Sequence, residues 1–493
     1  MKKIKTIFIG GGFLNQQYPW LIPLIDEYCK KKKINQIIFE TLPSKEILKK
    51  KYYNNIFKNY KILELKDTLP FVLKIKLIRF VIVSPIAFIY SFFIKRKKIM
   101  KNIDWTKLQF RHAVWDTAAN ISQNPKQFIY PGFINKFYSS IKNFETKLIA
   151  KYLMKNNLSA VFLNHCVYFY RTLLSEFRKE KKTKTFIQAN FTVFKQNKIS
   201  DNNENILSKS ILLKLKKKIS LGDVENYWKK RISGDSVYSL ANDASNIKMS
   251  NKQSIPNNVL MLHIFKDSPY SIIDKKRVFS DYVDWLKFTL KVISKSDEIW
   301  GIKFHPSAYR WGEDSQKIFN EFISEIFNSK IPKNFFLINN EFSNYEIFKK
   351  SKRIVTFWGT CHLESAAFGI RPIIIRDVQL SAFDMRSVIK PKNLKYYKSM
   401  LLTKNYNEFR LSKKQVYNAK YLIFIREKVL NFINDIDQHW IMRGDTQKYI
   451  NKNFTKTIKN ITKYDKFLRE NGKLLTTNFS HTLSKKYIKY FLN

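Results

Sequence analysis

Asn258-Val259-Leu260-Met261-Leu262-His263-Ile264-Phe265 reads as a strong β-strand, and the alternation that it begins decides the fold. Tyr282 to Ser294 has the spacing of an amphipathic helix. Then come a strand at Ile299–Phe304, a helix at Ser315–Phe327, a strand at Phe335–Ile338 and a short helix at Asn344–Lys350. A strand at Arg353–Phe357, a helix at Cys361–Phe368 and a strand at Arg371–Ile375 complete the series. Repeated strand–helix crossovers predict a parallel sheet with helices on both faces, a Rossmann-like α/β domain.

Outward from this stretch the same alternation recurs in weaker form. Lys5–Ile9 reads as a strand, followed by Gly10-Gly11-Gly12, a helix around Trp20–Lys30 and a strand at Ile34–Phe39. The glycines stop short of a dinucleotide fingerprint, because Asn15 stands where the third glycine belongs. They read as a tight turn or as the lining of a cleft. Ala160–His165 and Thr185–Ala189 are further strands, with a helix across Tyr168–Arg178 between them. The predicted class is α/β and GT-B-like: two Rossmann-like domains with parallel sheets facing a cleft, plus C-terminal helices. The predicted divisions are an N-terminal domain over 1–245, a second domain over 256–415 and a helical extension over 416–493. Between the domains, residues 235–256 are rich in Ser, Asn and Lys and read as a linker.

Composition narrows the chemistry. The hydrophobic share is 44% with 15% aromatics, which excludes general disorder. Cys29, Cys166 and Cys361 are scattered, so neither a disulfide framework nor a zinc site is expected, and a reducing compartment fits. The formal charge of +51 favours phosphate-bearing partners, but the lysines are spread along the chain and no nucleic-acid motif accompanies them. Near 70–100 a basic, apolar segment breaks the α/β pattern. Its apolar run, Phe80 to Ile94, is interrupted by Pro85 and framed by Lys74, Lys76, Arg79 and Lys95 to Lys98. A spanning helix needs roughly 20 residues. The segment therefore reads chiefly as a buried helix or as an interfacial one on an anionic inner-membrane surface, with a true span as the less favoured alternative; the expected location is the cytoplasm, and the interfacial reading would put the protein on the inner face of the plasma membrane.

Two constellations could carry chemistry. Lys303-Phe304-His305-Pro306 closes a strand, and alternation puts Lys303 and His305 on one side, where a cation and an imidazole could meet one phosphate. Trp358-Gly359-Thr360-Cys361-His362-Leu363-Glu364-Ser365 turns from a strand into a helix whose N-terminal N–H groups suit an anion. Thr360 could cap that helix and donate to the phosphate, Glu364 one turn on could accept from sugar hydroxyls, and Ser365 lies beside it. His263 and Asp267, after the domain's first strand, are cleft candidates. His165, at the matching edge of the first domain, is the candidate base for an acceptor hydroxyl. No Asp-x-Asp stands near the second constellation, and no metal is expected.

Taken together, Lys303-x-His305-Pro306, Gly359-Thr360-x-x-x-Glu364 and Gly369-Ile370-Arg371-Pro372 resemble the C-terminal half of GT-B-fold glycosyltransferases. More narrowly, they are similar to bacterial capsule polysaccharide biosynthesis proteins, the group containing Kdo transferases. The His-Pro motif is shared with bacterial GT-B sialyltransferases. The resemblance covers Val259 to Val378, about a quarter of the chain. It implies a metal-independent glycosyltransferase with His305 and Thr360 on the donor phosphate, Glu364 on the donor ribose, and Gly369 and Pro372 shaping the next strand. The implied partners are a nucleotide-sugar, for which a CMP-linked sugar is one option, and a capsular or lipid-linked glycan acceptor; no cofactor is implied. Trp358, Cys361 and His362 make the Gly-Thr turn bulkier than in that family. Rival readings are a polyol-phosphate transferase of the teichoic-acid type, a nucleotide-sugar epimerase, and a non-catalytic protein binding polyanions or membranes.

Overall fold

The computed structural model describes the chain between residues 4 and 427, apart from 11–21, 44–50, 95–104, 197–215, 235–253, 271–277, 376–386 and scattered shorter gaps. His165, Cys166, Gly11 and Gly12 lie outside the described residues, as does almost all of the predicted 416–493 extension beyond Glu427.

The first sheet is built from short β-rich runs that alternate between two cores. Its strands are β1 (Thr6–Gly10), β2 (Gln36–Phe39), β3 (Lys61–Glu64), β4 (Leu158–Asn164), β5 (Lys184–Ala189) and β6 (Thr192–Gln196). Their order is β3-β2-β1-β4-β5-β6. All pairings are parallel except β5 with β6. Ile7, Ile9, Ala160 and Phe162 face one core, and Phe8, Val161 and Leu163 face the other, which is the two-residue period of a strand covered on both sides. Helix α1 (Lys51–Phe57) precedes β3.

Between β3 and β4 the chain inserts a helical layer. It holds α2 (Lys76–Phe93), α3 (Trp105–Ile121) and α4 (Phe133–Met154). Helix α2 continues through Pro85, contrary to the expected interruption. Proline removes the N–H that would bond the carbonyl of Val81. The Ser84 hydroxyl donates to that carbonyl at 3.4 Å and so partly replaces the lost bond. After β4 come α5 (Phe169–Phe177) and, past β6, α6 (Leu221–Ile232), N-capped by Ser220.

The second sheet carries β7 (Asn258–Met261), β8 (Trp300–Lys303), β9 (Phe335–Ile338), β10 (Arg353–Thr356) and β11 (Ile373–Ile374). Its order is β11-β10-β7-β8-β9, and every pairing is parallel. The crossovers run through α7 (Tyr282–Ile293), α8 (Ser315–Phe327), α9 (Asn344–Lys350) and α10 (Cys361–Ala367); α11 (Leu394–Leu402) and α12 (Lys413–Phe424) come after β11. Asp281, Asp314 and Ser343 cap α7, α8 and α9 by accepting backbone N–H bonds.

Both sheets therefore have the same topology: three strands laid outward from the first, then a return to its other side. This is the doubly wound order, which opens a crevice between the first and fourth strands. Helix α6 belongs to the first domain by sequence but packs against the second. Tyr227 meets Phe424 edge-on, and Trp228 meets Tyr345 and Phe368.

Candidate active site

Register aligns the site. Ile338, Lys303, Met261, Thr356 and Ile374 form one row across the last paired residues of the second sheet. Two residues beyond that row stand His305 after β8, His263 after β7 and Trp358 after β10. These three strands are adjacent, so the rings line up along the carboxyl edge. His263 and His305 stack with centroids 5.9 Å apart, and Trp358 lies 4.7 Å from His263. The line crosses the crevice between β7 and β10, where open α/β sheets bind ligands.

Hydrogen bonds fix the imidazole tautomers. Nδ1 of His305 accepts the backbone N–H of Ser307 at 3.1 Å. Nδ1 of His263 accepts the N–H of Ile264 at 2.6 Å, and its Nε2 faces Asp267 Oδ2 at 3.8 Å. With Nδ1 accepting, a neutral ring carries its proton on Nε2, and each Nε2 becomes a donor. That polarity suits an anion better than it suits proton abstraction. Lys303 is fully buried at the end of β8, and burial pulls its ammonium from 10.5 to about 8.

The first domain reaches the same place. Tyr168 comes after β4, at that sheet's own crevice, and its hydroxyl donates to the carbonyl of Lys266 at 2.9 Å. Asn120 donates to the same carbonyl at 3.5 Å, and Asp116 accepts the N–H of Tyr270 at 2.7 Å. Tyr168 has φ 51° and ψ −138°, a costly conformation for a bulky residue. Burial, then the charges of Asp267 and Asp116, holds its phenol well above the usual range. Glu313 accepts the N–H of Lys266 at 2.7 Å, and burial raises its carboxyl above the usual value. The carboxyl edges of the two sheets are thus joined where their crevices meet.

No known family model matches the chain, and no curated protein matches it. Among solved structures it is similar to the UDP-GlcNAc 2-epimerase of Methanocaldococcus jannaschii bound to UDP-GlcNAc and UDP, at 13% identity over 85% of this chain and 99% of that one, with a TM-score of 0.29. A glycosyltransferase from Rickettsia africae shares 10% identity over 94% of this chain and all of its own, with a TM-score of 0.25. The glycosyltransferase SnogD from Streptomyces nogalater shares 7% over 94% and 98%, at 0.23. Superpositions this loose carry no weight, and the architecture rests on the two strand orders.

The turn after β10 differs from its sequence reading. Gly359 has φ 115°, which glycine alone adopts without strain. Thr360 occupies the cap position but makes no side-chain cap bond; instead a ring nitrogen of the buried His362 contacts the Gly359 carbonyl. Ser365 is turned inward, and its hydroxyl donates to the carbonyl of His362. Burial, then Glu364, pushes the Cys361 thiol up to about 12. Glu364 is buried, and its Oε1 accepts from Arg231 Nη2 at 2.6 Å. The structure brings His263, Asp267, Lys303, His305 and Gly359 to one edge and places Glu364 and Ser365 behind the turn. Sequence reasoning misses Tyr168, Asn120, Asp116 and Glu313; the position of Tyr168 just past a strand is the one signal that marks any of them. Among the described residues, no three His, Cys, Asp or Glu side chains gather as a metal site requires.

Proposed function

We propose that this protein is a glycosyltransferase of GT-B type, moving a sugar from a nucleotide-sugar bound at the second sheet to a surface-polysaccharide or lipid-linked glycan acceptor held by the first. The observation that carries this reading is the meeting of the two crevices: the bond from Tyr168 to Lys266 joins one doubly wound sheet to the other beside His263. One crevice suits a nucleotide, and the facing one leaves room for a second substrate. As the sugar leaves, negative charge gathers on the departing phosphate. Nε2–H of His305, the Lys303 ammonium and the backbone N–H groups around Gly359 are the donors nearest that edge, and fixed donors lower the barrier by meeting charge as it forms. Glu364, the carboxylate that the resemblance assigns to the ribose, is held by Arg231 behind the turn, so its part in binding is to fix the helix that follows Gly359. His165 sits by sequence at the acceptor side and is the candidate base.

Thermal stabilisation by CMP, CDP, UDP and GDP tests the donor site. A nucleotide present at about 100 times its dissociation constant should add roughly 2.7 kcal/mol to stability. The shift should vanish in His305→Ala and shrink in Glu364→Ala. A well-folded parent that responds to none of the four, or a His305→Ala variant that responds like the parent, would overturn the reading. Product analysis then separates the chemistries, because an epimerase returns its sugar still joined to the nucleotide and a transferase releases the nucleotide.

A further inference from the structure

Helix α2 spans 18 residues and carries no acidic side chain, yet it is largely uncovered. Only Val83, Ala87 and Ser91, one residue per turn, are buried, and they rest on α4. Ser91 bonds Ser140 at 3.2 Å, Phe92 packs on Phe133, and Arg79 faces Glu145 at 3.8 Å. Those pairings run antiparallel, so α2 lies along α4 for its whole length. The opposite face is apolar and open: Leu77 is 70% exposed, Val81 60%, Ile89 58% and Phe93 76%. Ile134, at the start of α4, extends the patch at 77%. An unbroken apolar surface of this kind marks an interaction site.

We propose that α2 lies in the plane of an anionic phospholipid surface, with its open face among the acyl chains. Charge selects lipid over protein as the occupant. No acidic residue occurs in the sequence between Asp67 and Asp104, and the apolar run sits between Lys74-Ile75-Lys76 and Lys95-Arg96-Lys97-Lys98. Such ends attract anionic headgroups, each cation contributing about 1 kcal/mol at the surface. A second copy docked on the same face would bring like charges together. The geometry also selects lying over crossing. At 1.5 Å per residue the helix is about 27 Å long, close to the ~30 Å hydrocarbon core. A crossing α2 would, however, draw α4 in with it, along with Lys136, Lys142, Glu145, Lys147 and Lys151, and charges inside a bilayer are expensive. The anchor goes beyond the donor-site reading and is measured without nucleotide, so each can fail alone.

The test is flotation of the whole protein with phosphatidylcholine vesicles, with and without phosphatidylglycerol. It compares the parent with Val81→Gln/Ile89→Gln/Phe93→Gln, which leaves charge unchanged and keeps good helix formers. At low salt, phosphatidylglycerol should raise the binding of both proteins. At about 1 M salt the Debye length falls to about 3 Å. There the parent should stay bound, and the triple variant should bind at least about tenfold more weakly, since each buried apolar side chain contributes about 1.5–3 kcal/mol. If the triple variant misfolds, Phe93→Gln alone carries the comparison, with an expected drop of about threefold or more. Alkaline carbonate should release the parent from the vesicles. Equal high-salt binding by parent and variant, complete release of the parent by salt, retention through carbonate, or a parent dimer that the variant abolishes would each overturn the proposal.

Discussion

Arg231→Met is expected to lower the stability of the folded protein by about 3–5 kcal/mol, the range for removing one partner of a buried ion pair. Arg231 on α6 is fully buried and joins two carboxylates from different elements. Its Nη2 donates to Glu364 on α10 at 2.6 Å, and its Nη1 donates to Glu427, just past α12, at 2.9 Å. Tyr227, one turn earlier on α6, also donates to Glu427, at 2.6 Å. Burial alone would lower the guanidinium's proton affinity, but the two carboxylates outweigh it and hold the group well above its usual range. Methionine fills the same volume and leaves two buried carboxylates facing each other without a cation. Glu364→Gln added to Arg231→Met should recover part of the loss, because it removes one of the stranded charges. Urea unfolding midpoints for the parent and the two variants decide the matter. An Arg231→Met protein as stable as its parent, or a double variant worse than the single, would show that the triad does not hold α6, α10 and α12 together. The same measurement bears on the donor site, since the carboxylate assigned to the ribose is the one Arg231 positions.

The second sheet was legible because its strands are apolar runs flanked by helices of clear period. The strands over Val259–Ile375 all appear; β7, β8 and β10 stop short at their carboxyl ends, where the chain leaves the ladder to form the site, and β9 keeps its predicted bounds. The first sheet was harder. β3 is Lys61-Ile62-Leu63-Glu64 and β6 is Thr192-Val193-Phe194-Lys195-Gln196, both edge strands with only two apolar residues each. The fold of α2 onto α4 depends on tertiary packing that no local pattern encodes. In the site, the sequence placed Lys303 at the end of a strand and His305 just past it, which is where β8 ends. The join to His263 and Trp358 comes from register between strands nearly a hundred residues apart, and no single strand's pattern contains it. Glu364 shows the opposite failure. Helical spacing put it one turn from Thr360 and offered it to sugar hydroxyls, but the covering helix that buries it lies more than a hundred positions earlier in the chain.

Lys303→Met should stabilise the protein by about 3 kcal/mol at pH 7 and weaken its response to nucleotide. The ammonium sits at the end of β8 with no exposed surface, and burial brings it from 10.5 to about 8. That difference, at 1.36 kcal/mol per pH unit, corresponds to roughly 3 kcal/mol. The sign comes from proton binding. Between about pH 8 and 10.5 the unfolded chain holds the proton more firmly than the folded one, so the parent gains stability as pH rises through that window. Below pH 8 both states are charged and the folded protein bears the whole cost. The advantage of Lys303→Met should therefore be full at pH 7, shrink from about pH 8 upward and vanish near 10.5. Urea unfolding of both proteins across that range measures it, and a methionine variant less stable than the parent at pH 7 would mean that the buried ammonium supports the fold. A destabilising group at a ligand edge is worth keeping only for what it does there. An anion beside Lys303 favours the charged form, so binding at pH 9 should take up a proton, and nucleotide stabilisation of the parent should fade as pH rises through about 8. In Lys303→Met that fading should disappear, which separates a cation acting on phosphate from one merely enclosed by the sheet.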